Sequence, residues 1–316
     1  MTNKEKYIKF CEKESIPIFS QYWWLNTVCG EKNWDVLLYE KGGEIVASMP
    51  YYITKKSIFT YLGMPKLTQT MGPYITYPKE QKYYKRLSWE KEIMSYFIGN
   101  LPEFDYFAQN FNHKIKNYLP FYWQGFKQTT RYTYVIENTT DINMIWNNLT
   151  SDTRKKIKKA EKNLKIIETD NIDKYFSMVK MSFDRQHLPT PYSLEFFNKL
   201  NKECSSHKSR KIYLAIDEQE QIHVAIYIVW DKNSVYLLSS GGNPKLRNSG
   251  AKNLLVWHAL KFASEQKLSF DFEGSMMENI EIYNRSFGAV QKAFFTITKT
   301  NSKILKIKNL VKEIQL

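Results

Sequence analysis

The sequence predicts a mixed α/β fold of the α+β kind, made of two tandem copies of one unit. Two strand-turn-strand segments recur with the same internal spacing, and further segments recur around them in the same order. A chain of 316 residues that is 43% apolar and 16% aromatic is also long and apolar enough for two cores.

The upstream helices come first. "IPIFSQYWWLN" (16–26) parallels "LPTPYSLEFFNKL" (188–200): an apolar residue and Pro, a Ser, then paired aromatics, Trp23 and Trp24 or Phe196 and Phe197, expected in the core. The hairpins follow. In "LLYEKGGEIVAS" (37–48) and "LAIDEQEQIHVA" (214–225), Glu40 matches Asp217 and Ile45 matches Ile222 across an acidic turn. After a further strand, a helical run ends in a strand at "FDYF" (104–107) or "FDFE" (270–273). "FYWQGFKQTTRYTYVI" (121–136) and "IYNRSFGAVQKAFFTIT" (282–298) then each give a Tyr, a turn of Gly and Phe, and a β-rich closing strand. The polar stretch "ENTTDINMIWNNLTSDTRKK" (137–156) reads as the joint, leading into a helix capped by Ser151 or Asp152. The expected domains are therefore 1–140 and 141–300, with a basic tail at 301–316.

Composition excludes several classes. The start, "MTNKEKYIKFCEKE", carries charge where a signal peptide is apolar. The longest apolar run, Val224 to Trp230, is far short of the roughly 20 residues of a membrane span, so no transmembrane segment and a cytoplasmic location are expected. Cys11, Cys29 and Cys204 form no CxxC pair and the five histidines are scattered, which indicates no metal site and no Cys/His nucleophile. The net charge of +14 implies an anionic partner: a nucleotide cofactor, tRNA, a lipid phosphate or an acidic membrane face. Much of it lies in "RKKIKKAEKNLK" (154–165) and in Lys299, Lys303, Lys306, Lys308 and Lys312, either as solvated helix faces or as phosphate patches.

The order of elements, with a glycine-containing loop between "SVYLLSSGG" (234–242) and the helix in "NPKLRNSGAKNLLVWHALKFASEQ" (243–266), resembles the GNAT N-acyltransferase fold. Two such units in tandem resemble the Fem group, and the resemblance covers nearly the whole chain. Where GNAT enzymes carry an Arg/Gln-x-x-Gly-x-Gly/Ala loop for the pyrophosphate of coenzyme A, this chain has Arg247, Asn248, Ser249 and Gly250, with Lys252 in the sixth place. The resemblance implies that these residues and Lys245 hold the pyrophosphate. It also implies that the backbone of Leu238, Ser239 and Ser240 binds the cofactor arm and the acyl carbonyl. Apart from any family, unpaired amides at a helix N-terminus attract anions; the other reading is an ordinary turn at 241–244 with Gly250 merely starting a helix. "IYNRSFGA" sets a Gly five residues after Tyr283, as in the Fem ending, although Asn284 and Arg285 stand where the aminoacyltransferases have lysines. "MGPYI" (71–75) stands where those ligases have Arg-Gly-Pro, with Met71 for the arginine, which makes Gly72 and Tyr74 substrate-side candidates.

Acyl transfer to an amine needs a neutral amine, a carbonyl within attack distance, and donors for the developing oxyanion. The implied fifth strand, "FDFE", ends beside the reacting carbonyl. Asp271 and Glu273 are two apart and share a face, with Phe270 and Phe272 on the other. The first half offers Asp105 for Asp271 but Phe107 for Glu273, so Asp271 is expected to be structural or substrate-side and Glu273 to be the base. Tyr283 is a candidate to protonate the leaving thiolate, or a core aromatic matched by Tyr122; Arg285 is a candidate to hold a carboxylate or phosphate. His187 and His258 are lone.

The resulting expectation is an N-acyltransferase with acyl-CoA (acetyl-CoA) as co-substrate and no metal, acting on an amino sugar of a surface polysaccharide or on an amino acid. The alternatives are an aminoacyl-tRNA-dependent peptide ligase of peptidoglycan, and a non-catalytic binding protein on the same scaffold. An anionic lipid-linked substrate or tRNA are the other partners considered, without a stable nucleic-acid complex.

Overall fold

The computed structural model describes residues 1–314, with side chains to Lys308. The first half of the chain runs α1 (Asn3–Lys13), α2 (Tyr22–Cys29), β1 (Trp34–Lys41), β2 (Glu44–Lys56), β3 (Phe59–Gly63), β4 (Tyr74–Ile75), α3 (Tyr83–Gly99), β5 (Tyr106–Asn110), α4 (Leu119–Trp123) and β6 (Lys127–Ile136). The second half runs α5 (Ile142–Asn148), α6 (Ser151–Asn163), β7 (Lys165–Glu168), α7 (Ile172–Asp184), α8 (Leu194–Ser206), β8 (Arg210–Ile216), β9 (Ile222–Trp230), β10 (Ser234–Gly242), α9 (Ala251–Glu265), β11 (Ser269–Asp271), α10 (Glu278–Arg285), β12 (Val290–Thr300) and α11 (Lys303–Ile314). The mixed α/β class and the doubled order of elements are both present. The cap of α6 is Thr150, one residue before the expected Ser151 or Asp152, because its hydroxyl accepts from the Thr153 amide at 3.3 Å.

The chain divides into two compact units, residues 1–131 with 293–316 and residues 132–292. The halves exchange their closing strands. The end of β6 pairs with β11, Val135 opposite Asp271 and Ile136 opposite Phe270. β12 pairs with β5, Thr296 opposite Asn110 through Thr300 opposite Tyr106. An antiparallel partner is taken at whichever free sheet edge the strand reaches, and the spacing of a repeat carries no record of that choice. The expected basic tail is likewise part of the first unit: the Asn301 amide donates to the Asp105 carbonyl at 2.8 Å and Leu305 is buried. Lys299 donates to the Gln124 carbonyl, Lys303, Lys306 and Lys308 are exposed, and the side chain of Lys312 lies outside the described residues.

Each unit has the same sheet pattern. In the first, β1, β2 and β3 are antiparallel neighbours, β3 is parallel to β5, and β5 is antiparallel to β12. In the second, β8, β9 and β10 are antiparallel, β10 is parallel to β11, and β11 is antiparallel to β6. A parallel pair needs a crossover, and α3 and α9 supply it. The first core gathers Ile93, Met94 and Phe97 of α3 with Phe107, Phe111 and Phe121. The second gathers Leu254, Leu255, Ala259 and Leu260 of α9 with Val235, Phe270, Phe272 and Phe287. Trp23, Trp24 and Phe197 are buried as expected, and Phe196 partly so.

Candidate active site

In the second unit the parallel pair is short. β11 ends at Asp271, opposite Tyr236, so among the described residues the β11-facing edge of β10 has no strand partner from Leu237 onward. On its other edge β10 shifts register against β9 between Leu237 and Ser239, and the bulge turns the backbone at Leu238. Leu238, Ser239 and Ser240 thus lie where two parallel strands part. The first unit has no such opening. There the segment after β3 fills the gap: the Met71 amide donates to the Asn110 carbonyl at 2.7 Å, and Met71 bridges Phe111 in parallel. Gly72 is required by this filling, since a Cβ on it would lie 2.3 Å from the Phe111 ring and its φ is +87°. Tyr74 bonds Glu14 at 3.4 Å and packs edge-on against Phe10.

Glu273 stands just past the end of β11. Phe270 and Phe272 pack on the α9 side, with ring centroids 4.9 Å apart, and the pleat turns Asp271 to the other face. The Asp271 carboxylate accepts from Thr133 and, at 2.8 Å, from the amide of Glu273. That turn holds Glu273 at φ 55°, a left-handed conformation that costs a non-glycine residue about 1 kcal/mol or more. Oε1 of Glu273 is shut off from solvent and has no hydrogen-bond partner. Burial, with the Asp271 charge second, pushes the Glu273 carboxyl well above the usual carboxylate range.

Two tyrosines near Glu273 escaped the sequence reading. Tyr192 bonds Ser239 at 3.2 Å between hydroxyls. Tyr175, on α7, is fully buried; its hydroxyl feels Ser239, Tyr192 and Glu273, yet makes no hydrogen bond of acceptable geometry. Burial holds both phenols in the neutral form, and the Glu273 charge adds to this. Gly241 lets α7 lie this close to β10, since a Cβ there would meet the Val179 nitrogen at 2.2 Å. No spacing in the sequence marks Tyr175 or Tyr192; only the packing of α7 on β10 and the contact of Tyr192 with Ser239 do.

The match of Asp105 with Asp271 does not hold. Phe107 faces the first core with α3, as Phe270 and Phe272 face the second with α9. Asp105 therefore falls on the opposite parity from Asp271, and its carboxylate accepts from the Thr60 amide at 2.8 Å.

At the start of α9, Asn243 caps a 3₁₀ turn over Pro244–Ser249 and Gly250 takes a left-handed conformation, φ +80°. A Cβ on Gly250 would lie 2.5 Å from the Lys156 carbonyl, so the glycine is required by the approach of α6. Ser249 accepts from the Ala251 amide at 3.3 Å, while Lys245, Arg247 and Asn248 are exposed. The ammonium of Lys252 lies 4.6 Å from the centroid of the Tyr283 ring, and burial lowers its pKa. Tyr283 packs on Phe287, its buried hydroxyl has no hydrogen-bond partner, and burial pushes its pKa well above that of an ordinary tyrosine. Arg285 is exposed and pairs with Glu281 at 3.1 Å; among the described residues no contact joins it to Glu273 or Tyr283. In the basic run, Arg154 bonds carbonyls at the end of α5, including that of Asn147 at 3.0 Å, and Lys156 pairs with Asp152. The cysteines are buried and free, and burial pushes the Cys11 and Cys204 thiols up to about 12, which excludes them as nucleophiles near neutral pH.

With this geometry in hand, comparison with known proteins is informative. Residues 148–278 match the family model described as an acetyltransferase (GNAT) domain. FemX, a solved structure, superposes with a TM-score of 0.69 at 11% identity, over 93% of this chain and 96% of that one. The chain has a Fem-like tandem GNAT fold. A tandem GNAT protein from the clavulanic acid biosynthesis pathway gives a TM-score of 0.54 at 7% identity, over 95% of each chain. The C-terminal domain (DUF2156) of a proposed lysylphosphatidylglycerol synthetase from Agrobacterium fabrum gives 0.56 at 10% identity, over 95% of this chain and 92% of that one. No curated protein matches the sequence. In this tandem GNAT fold the matched stretch holds the parted strands, the Gly250 loop and Glu273 together. Among the described residues no group of acidic, His or Cys side chains could hold a metal ion, and no helix is long and apolar enough to cross a membrane.

Asp271 acts on Glu273 through both geometry and charge. Asp271→Asn keeps an oxygen to accept from Thr133 and from the Glu273 amide but removes the repelling charge. The expected result is an acid limb of the pH–rate profile moved to lower pH, with the melting temperature little changed.

Proposed function

We propose that the second unit transfers an acyl group from acyl-CoA to a primary amine, with Glu273 as the base. The observation that carries this reading is a half-buried carboxylate whose Oε1 is shut off from solvent without a partner, held by a strained turn beside a strand edge that has no strand neighbour among the described residues. Strain and an unmet acceptor in one place mark a group kept for chemistry rather than stability. A carboxyl with a raised pKa is also a stronger base for an ammonium than an ordinary surface acid.

In this reading the ammonium gives one proton to Glu273 and the lone pair of the neutral amine attacks the acyl carbonyl. Free amides near the Leu238 bulge receive the oxyanion; as the carbonyl re-forms and the carbon–sulfur bond breaks, the thiolate takes a proton from Tyr283, the candidate donor, which regains one from the nitrogen as it becomes the amide. Ser239 and Ser240 line the donor arm. Lys245, Arg247, Asn248, Ser249 and the start of α9 would meet the pyrophosphate, and Lys252 a further anionic group. The acceptors that fit are an amino sugar or an amino acid. A second reading is an aminoacyl group delivered on tRNA, which the exposed Lys245 and Arg247 and the outward lysines of α6 favour.

Titration calorimetry with acetyl-CoA, longer acyl-CoAs and free CoA tests the donor. Micromolar binding that weakens about tenfold in Arg247→Ala is expected, a loss of about 1.4 kcal/mol for one phosphate contact. A folded protein that binds none of them, yet turns over charged tRNA, would establish the second reading instead.

A further inference from the structure

We propose that the outer surface of α3 and α4, in the first unit, docks on an anionic lipid membrane. α4 is a five-residue helix opened by Pro120 and anchored by Phe121, which is fully buried against Phe111 and Phe126. Seating Phe121 inward turns Leu119, Tyr122 and Trp123 to solvent, and they are 46%, 59% and 56% exposed. On α3, Tyr84, Leu87 and Lys91 are spaced three and four apart and form one outward stripe, Tyr84 being 62% exposed. The two elements meet where the Lys91 ammonium lies 5.3 Å from the Trp123 ring centroid.

So many large apolar side chains on one surface call for a partner. The charge around them selects its sign. Lys82 and Lys85 at the start of α3, Lys114 and Lys116 in the segment before α4 and Lys127 at the start of β6 are exposed, and among the described residues no salt bridge engages them. Two of the nearby acids are neutralised, Glu90 buried against Arg86, Tyr77 and Asn117 and Glu92 bound to Lys41 and Tyr39, while Glu80 stays exposed just before α3. Trp and Tyr at the level of headgroups, aliphatic side chains beneath them and lysines around them is the composition of an interfacial membrane face. A nucleic acid would gain nothing from Leu87 and Leu119, and its phosphates are read mainly by arginine, of which this surface has only Arg86, already paired with Glu90. The surface lies outside the parted strands of the second unit, so the proposal stands apart from the assigned chemistry.

Flotation of the whole chain with vesicles tests this. Binding to equal parts phosphatidylglycerol and phosphatidylcholine, absent with phosphatidylcholine alone, is the expected result. Each Lys85→Gln or Lys91→Gln change should weaken it about fivefold. Trp123→Ala with Tyr122→Ala should weaken it by about tenfold or more at unchanged charge. These residues are exposed, so an unaltered thermal melt shows that each variant is folded. Binding indifferent to Trp123 and Tyr122, no binding to the anionic vesicles at low salt, or retention of RNA in place of vesicles would each overturn the proposal.

Discussion

Glu273→Gln is expected to lower turnover by about 10²- to 10⁴-fold while leaving the fold and the affinity for the proposed acyl donor as they are. Gln has the same shape and keeps the backbone bond to Asp271, so what is lost is the capacity to take a proton. With Glu273 as the proposed base, kcat/KM of the unaltered protein is expected to rise with pH as this carboxyl ionises, with a midpoint well above that of an ordinary glutamate because of burial first and Asp271 second. The variant's residual rate shows no such rise. Stability moves the opposite way. The folded state holds the Glu273 proton more tightly than the unfolded state, so below the unfolded pKa of about 4.3 this group costs nothing. Above it, the unfolded chain releases a proton that the native state retains or gives up at a penalty, and this contribution to stability falls as pH rises. Glu273→Gln removes that decline, so thermal melts of the two proteins diverge from about pH 4.3 upward, with the variant higher. Turnover within twofold of the unaltered protein would remove Glu273 from the chemistry.

Gly241→Ala is the second large effect, and it acts on fold and site together. The added methyl would lie 2.2 Å from the Val179 nitrogen and 2.4 Å from the Met178 carbonyl oxygen, both backbone atoms of α7 that have no rotamer to move. The helix must lift from β10, at a cost of about 3 kcal/mol by the usual range for overpacking. Lifting α7 also breaks the bond of the Gly242 amide to Ser182 at 2.9 Å and withdraws Tyr175 from Ser239. Chemical denaturation is expected to show a lower midpoint, and the surviving folded fraction a lower kcat than Gly63→Ala, where a Cβ meets nothing within 4 Å. Equal midpoints for the two variants would show that the contact between α7 and β10 is looser than described here.

Much of the architecture was legible because it is written in local chemistry. The hairpins at 37–48 and 214–225, the helix after the Gly250 loop and the strand at 270–273 all follow from alternation, turn residues and helical spacing, which act over a few residues. The placing of Phe270 on one face and Asp271 on the other follows from the two-residue period of a strand in the same way, whereas Glu273 lies past the strand in a left-handed turn. The comparison of Asp105 with Asp271 went wrong at the point where local likeness stops being informative. "FDYF" and "FDFE" are alike in letters, but a strand entered one residue out of step presents the opposite face, and only the position of Phe107 in its core reveals the step.

The sequence by itself determined the class of the fold and its doubling, because a repeat and a strand period are properties of neighbouring letters. Only the tertiary structure decided that the halves exchange closing strands, that Gly72 and Gly250 answer to Phe111 and Lys156, and that Tyr192 bonds Ser239 at the parted strands. Those facts depend on which surfaces meet across intervals of up to about 190 residues, as when Thr296 bonds Asn110. Such contacts are fixed by packing and by the satisfaction of buried polar groups over the whole unit, a constraint that no short window of sequence contains.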